Sequence, residues 1–90
     1  MSEAGSSKQG IQVISRAVKV LRALEGKPDG LSLSAIANEV DLPRSTVQRI
    51  VGALATEGFL ISASPTSRVR LGPSLVSLGS AAKVDIDRVI

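Results

Sequence analysis

The stretch from Leu42 to Gly58 constrains the fold most, because it predicts an amphipathic helix together with its start and its end. Its apolar residues recur at the spacing that places side chains on one helix face: Val47, Ile50, Val51 and Leu54. Pro43 suits the first helical position, since its φ is fixed and its missing N–H needs no partner there. We therefore expect Leu42 at the N-cap. Gly58 supplies the left-handed residue that often follows a helix.

The opposite face of this helix carries side chains that can bond to bases and phosphates. It presents Ser45, Arg49, Gly52 and Thr56, with Gln48 and Arg44 on its flank. Arg pairs with guanine and Gln with adenine, while Ser bonds to either kind of base edge. Any surface helix also turns a polar face toward water. Evidence from the rest of the chain is therefore needed to distinguish a DNA-binding helix from a solvated one.

The composition excludes several classes of site. The 90 residues include no Cys and no His, which excludes disulfides, Cys/His metal sites, thiolate nucleophiles and Ser-His-Asp triads. We therefore expect no enzyme activity, no metal and no cofactor. No apolar run approaches the roughly 18 residues of a membrane-spanning helix, and residues 1–7 lack the basic and apolar regions of a signal peptide. We expect a cytoplasmic protein without membrane association.

The charge distribution favours a polyanionic partner. Residues 8–70 carry nine Lys and Arg against five Asp and Glu, within a chain of net charge +3. Proteins that bind RNA or single strands usually stack bases on aromatic side chains. The only aromatic residue is Phe59, at a position that is predicted to lie in the core. Duplex DNA is therefore the better candidate for the partner.

Two helices are predicted before this stretch. Residues 1–10 are small and polar and are expected to form a disordered tail. A helix then runs from Ile11 or Gln12 to Glu25, and its apolar stripe, widened by Val13 and Val20, consists of Ile14, Ala17, Val18, Leu21 and Leu24. The next helix extends through Val40, with Ser32 or Ser34 as its cap. Because it is joined to the stretch by only Asp41 and Leu42, the pair predicts a helix-turn-helix.

After Gly58 the apolar period changes from that of a helix to that of a strand. Residues 59–63 and 68–71 predict a β-hairpin around the turn 64–67, with Arg68 and Arg70 on one face and Val69 and Leu71 on the other. A hairpin behind a helix-turn-helix is a wing whose arginines can contact DNA backbone. The alternative is that they protect an edge strand from aggregation. A last helix is expected from Pro73 to Ala82, followed by a segment whose apolar residues have no obvious partner: Val84, Ile86, Val89 and Ile90.

Several of these residues resemble the N-terminal domain of the IclR family of bacterial transcription regulators. The resemblance is clearest in Arg70-Leu71-Gly72-Pro73 followed by Leu75, Leu78 and Gly79. It also includes the run from Leu31 to Ile50 and the segments 16–18 and 57–60. It covers residues 11–82. It implies a mainly α fold with a small β-hairpin: a winged helix-turn-helix with a three-helix core and a wing, followed by a linker helix.

The resemblance also implies a division of the chain. We expect a tail over 1–10 and a DNA-binding domain over 11–72, with its helix-turn-helix at about 33–57 and its wing at about 59–72. Residues 73–90 are expected to form the C-terminal helix and the start of a linker. In the family such a linker leads to a larger domain that binds a small effector, and we expect that domain to be absent from this chain.

We expect the function to be sequence-specific binding of double-stranded operator DNA in transcription regulation. The expected base contacts come from Ser45, Gln48 and Arg49. The expected backbone contacts come from Arg44, Thr46, Ser34, Arg68, Arg70 and Arg16. The family resemblance implies a homodimer, or a higher homo-oligomer, on a pseudo-palindromic site. The alternative is a winged helix used for protein contact or dimerisation, which an apolar or acidic outer face on residues 44–56 would favour.

Overall fold

Four helices and one two-stranded antiparallel sheet make up residues 2–63 and 68–89, the part of the chain that the computed structural model describes. Their order is α1 (Ser2–Ala23), α2 (Leu33–Val40), α3 (Arg44–Thr56), β1 (Leu60–Ala63), β2 (Arg68–Leu71) and α4 (Ser74–Val89). The first three helices pack on one another, and α3 also packs on β1. This arrangement confirms the predicted winged helix-turn-helix.

One side chain or two from nearly every element fill the core. Those that are almost completely buried are Val20 from α1, Leu24 in the turn directly after it, Ile36 from α2, Val47 from α3 and Val69 from β2. Burying an aliphatic side chain of this size contributes about 1.5–3 kcal/mol. Since the core residues of α3 lie on one face, the opposite face of α3 is left in solvent.

The buried face of α1 differs from the predicted stripe. Val20, expected beside the stripe, is completely buried, whereas Ile14 and Val18 within it are 64% and 41% exposed. The reason is that the packing of α1 against α2 and α3 buries Val20 and leaves Ile14 and Val18 in solvent. The helix also begins at Ser2, where the sequence predicted an irregular tail. Residues 2–9 contain no proline, so a helix anchored further along can extend through them at little cost.

The ends of α2 and α3 follow local capping rules, with one correction. Ser32 is the N-cap of α2, where its hydroxyl accepts a hydrogen bond of 3.1 Å from the Ala35 N–H. Helix α3 begins at Arg44 with Pro43 at the N-cap, so the expected N-cap at Leu42 is wrong by one residue. The cause is the extended ψ of 146° at Pro43, which delays the first helical turn. Gly58 follows α3 with a φ of 82°, as predicted.

The hairpin pairs Leu60 with Leu71 and Ala63 with Arg68. Leu31 adds a single antiparallel bridge to Val69 on the other edge of β2. The predicted turn 64–67 lies outside the described residues. Helix α4 is continuous from Ser74 to Val89, where the sequence predicted a break after Ala82, because one glycine and no proline interrupt this stretch.

A close backbone crossing connects the end of α3 to the start of α4. A Cβ on Gly72 would collide with the carbonyl oxygen of Gly58 and would lie 2.8 Å from the carbonyl carbon of Phe59, so only glycine fits at this position. The Gly72 N–H donates to the Phe59 oxygen at 2.8 Å, and the Ser74 hydroxyl donates to the Glu57 oxygen at 3.1 Å. These contacts fix the start of α4 against the end of α3.

Candidate nucleic-acid interface

The exposed face of α3 carries polar and basic side chains and no acidic one. Ser45, Gln48 and Arg49 are exposed, and Thr46 is half-buried at its edge. Val47 and Val51 anchor the helix on the core from the other side. Among the described side chains, the only ion pair joins Arg22 to Glu25 at 3.9 Å. The guanidinium groups of Arg44 and Arg49 are therefore available to a polyanion.

A groove between α1 and α3 brings together residues that the sequence placed far apart. It has a volume of about 370 Å³, and its lining consists of Val13, Arg16, Thr46, Arg49, Ile50 and Ala53. Three of the predicted DNA contacts, Arg16, Thr46 and Arg49, thus share one surface. The sequence did not indicate that Ile50 and Ala53 form an apolar wall of this groove, because only the packing of the two helices shows which side of α3 faces α1.

The two wing arginines lie on the outer face of the sheet and differ in their surroundings. Arg68 donates a hydrogen bond of 2.8 Å to the carbonyl oxygen of Gly30, which follows the turn after α1. Arg70 borders a cleft of about 330 Å³ that also contains Lys27, Ile61 and Leu71. Arg68 therefore ties the wing to the connection between α1 and α2, a structural role that the sequence analysis missed.

Gly30 shows why this connection is so tight. Its φ is 81°, and an added Cβ would lie 2.6 Å from the Val69 oxygen and 2.7 Å from Cγ of Arg70. Glycine is the residue that adopts this backbone conformation without strain. No sequence pattern pairs Gly30 with Arg68, since the two residues are 38 positions apart.

The last predicted contact, Ser34, is exposed in the first turn of α2. The N–H groups at a helix start are free to bind anions, and Ser32 satisfies one of them, that of Ala35. Arg44 is exposed at the corresponding start of α3. In the described ranges, no group of acidic side chains is arranged to hold a metal ion. None of the described helices combines the length and hydropathy needed to cross a membrane.

Residues 13–62 match the model of a known family, the IclR helix-turn-helix domain. The HTH-type transcriptional regulator TtgV of Pseudomonas putida is 53% identical over 77 residues, which are 86% of this chain and 30% of the relative. The HTH-type transcriptional regulator Rv1719 of Mycobacterium tuberculosis is 40% identical over the same shares of the two chains. This chain thus spans about 30% of the length of these curated relatives.

Solved structures show the same arrangement of helices and hairpin. The crystal structure of Pseudomonas aeruginosa HmgR is 36% identical with a TM-score of 0.65, covering 73% of this chain and 27% of HmgR. An IclR transcriptional regulator from Alicyclobacillus acidocaldarius is 29% identical with a TM-score of 0.74, covering 79% of this chain and 29% of that protein. The similarity therefore extends beyond the helix-turn-helix to most of the domain.

Proposed function

Because the chain belongs to the IclR family of DNA-binding transcription regulators, we propose that its helix-turn-helix recognises a specific double-stranded operator through α3. The observation that carries this proposal is the exposed face of α3. That face offers hydrogen-bond donors and positive charge, includes no carboxylate, and is held rigidly by buried valines on the other side. Its relatives are transcription regulators and not enzymes.

We assign base recognition to the N-terminal half of α3, the part of a recognition helix that enters the major groove. Gln48 can bond to both N6 and N7 of adenine, and Arg49 to both O6 and N7 of guanine, while Ser45 suits either kind of base edge. All three side chains are exposed, so they can reach a duplex without rearrangement of the core.

Contacts to the DNA backbone are assigned to the residues around this face. They position the protein on the duplex without specifying sequence, and they are Arg44, Thr46, Ser34, Arg68, Arg70 and Arg16. Arg68 keeps this assignment despite its bond to Gly30, because a guanidinium group has five N–H donors. Arg16 supports the proposal most directly, since it lines the same groove as Arg49.

Two copies are expected to bind one operator. Exposed apolar side chains line the middle of α1 and the start of α4: Ile11, Val13, Ile14, Val18, Val76 and Leu78. Such residues outside the core fit an interface with a second copy. Val20, which was expected to widen the stripe of α1, is completely buried and cannot contribute. The side chains of Val84, Ile86, Val89 and Ile90 lie outside the described residues.

Selection of bound fragments from a random duplex pool tests this proposal. We expect enrichment of an inverted repeat whose half-sites are separated by about one helical turn, 34–36 Å, or a multiple of it. A bound pool that stays as random as the input would contradict sequence recognition. If no duplex is retained at low salt, the alternative of a protein-contact module would replace DNA binding.

A further inference from the structure

Gly52 lies in the middle of α3, on the exposed face between Gln48 and Thr56. Outside its two chain neighbours and the adjacent backbone of α3, a Cβ added to Gly52 would have no heavy atom within 4 Å, and the φ of Gly52 is not positive. Neither the backbone conformation nor the packing therefore requires glycine at this position. Inside a helix glycine is less favourable than every residue except proline. The chain thus accepts a weaker helix here without any gain visible in its own fold.

Other glycines of the domain have evident structural reasons. Gly30 and Gly58 have positive φ angles, and Gly72 lies where a Cβ would meet the backbone. Gly52 shares its open surroundings with Gly10 in α1 and Gly79 in α4. Among these three, only Gly52 lies between residues assigned to base contacts and the end of the recognition helix.

The dimensions of the major groove give a reason for this glycine. The groove is about 12 Å wide and about 8.5 Å deep, whereas a helix with its side chains is about 10–12 Å across. A helix that enters the groove fills it, so any side chain directed at the floor holds the helix further out. Because Gly52 has no side chain, the backbone of α3 itself forms the helix surface at this position.

Thr56, one turn further along the same face, bonds back to Gly52. Its hydroxyl donates a hydrogen bond of 3.0 Å to the Gly52 carbonyl oxygen. This bond holds the Thr56 side chain along the helix surface instead of extending it outward.

We propose that Gly52 sets the depth at which α3 enters the major groove. The missing side chain lets the α3 backbone approach the base edges until Gln48 and Arg49 reach hydrogen-bond distance. A methyl group at this position holds the helix outward and lengthens those bonds. Gly52 is therefore a positioning residue for sequence recognition, and this inference rests on the proposed binding of α3 to an operator.

The test compares Gly52→Ala with two matched controls, Gly10→Ala and Gly79→Ala, in the 90-residue chain. All three substitutions replace an open helical glycine, so each should raise the melting temperature by about 4 °C. Only Gly52→Ala should weaken binding to the selected operator, by about 10- to 100-fold, the loss expected when one base contact is displaced. Binding to a scrambled duplex, which depends on phosphates, should change little in all three.

Each other outcome decides against the inference in a different way. If Gly52→Ala binds the operator as tightly as the two controls, Gly52 does not set the depth, and operator recognition by α3 still stands. If Gly52→Ala lowers the melting temperature, the glycine serves the fold. If the unmodified chain does not distinguish operator from scrambled duplex, the proposed function fails and the depth proposal fails with it.

Discussion

Arg68 shows how one residue can serve both the fold and the proposed DNA surface. Its guanidinium group bonds to the Gly30 carbonyl, while its position on the wing gives it the charge expected of a backbone contact. Arg70, two residues further along β2, is also exposed and borders the cleft beside Lys27. The two arginines look equivalent in the sequence but are not equivalent in the structure.

We therefore expect Arg68→Ala and Arg70→Ala to differ in stability and to agree in DNA binding. Arg68→Ala should lower the free energy of unfolding by about 1 kcal/mol, because it removes the hydrogen bond to Gly30. Arg70→Ala is the matched control and should change stability little. Both variants should weaken binding to operator and random duplex alike, and reduce the salt slope by about one. Urea unfolding and binding titrations at several salt concentrations measure the two effects, and equal stability of the two variants would contradict the role of Arg68.

The two serines at the start of helix α2 are expected to have different roles, one as the helix cap and one as a DNA contact. Ser32 accepts the hydrogen bond from Ala35, and Ser34 is exposed in the turn that follows. Ser32→Ala should cost about 1 kcal/mol of stability, the usual cost of losing an N-cap. Ser34→Ala should leave stability nearly unchanged and reduce affinity for every duplex. Thermal unfolding of the two variants checks the first expectation, and the opposite order of stability would mean that Ser34 is the cap.

Local patterns predicted most elements, because capping, periodicity and turn residues act over a few neighbouring positions. The helix from Arg44 to Thr56 and the pairing of 60–63 with 68–71 both follow such patterns. Local patterns did not predict which side of α1 faces the core, because that side depends on where the other helices pack. Val20 is buried and Ile14 is exposed for this reason.

The candidate site was predicted only as a set of residues on one helix face and its surroundings. The sequence indicated an exposed Ser45, Gln48 and Arg49, and the structure places all three in solvent. It could not indicate that Arg16 lines a groove with Arg49, or that Arg68 reaches Gly30. Both relations depend on the packing of elements that are distant in the chain.

From the exposed apolar residues of α1 and α4 we predict that two copies of the chain bind one operator. Ile14→Glu should weaken assembly of the second copy, because a carboxylate replaces a side chain that is 64% exposed and outside the core. Stability of the single domain should change little, since surface substitutions usually stay within about 0.5 kcal/mol. Gln12→Glu adds the same charge to an exposed position of α1 and is the control.

Sedimentation with operator DNA measures this assembly. The unmodified chain and Gln12→Glu are expected to form complexes with two protein copies per operator, while Ile14→Glu should give mainly one. If the unmodified chain binds the two half-sites independently, or if both variants lose the second copy equally, the apolar surface of α1 is not the interface.

The proposed function requires that α3 recognises bases while the surrounding arginines contact the DNA backbone. The most direct test is affinity against salt concentration, on the selected operator and on a scrambled duplex, for Gln48→Ala, Arg49→Ala and Arg70→Ala. We predict that Gln48→Ala and Arg49→Ala each lose about 1–3 kcal/mol on the operator and much less on the scrambled duplex. Arg70→Ala should lose equally on both. Equal losses on the two duplexes for the α3 variants would show that α3 does not recognise bases, and a changed base preference in Arg70→Ala would assign recognition to the wing.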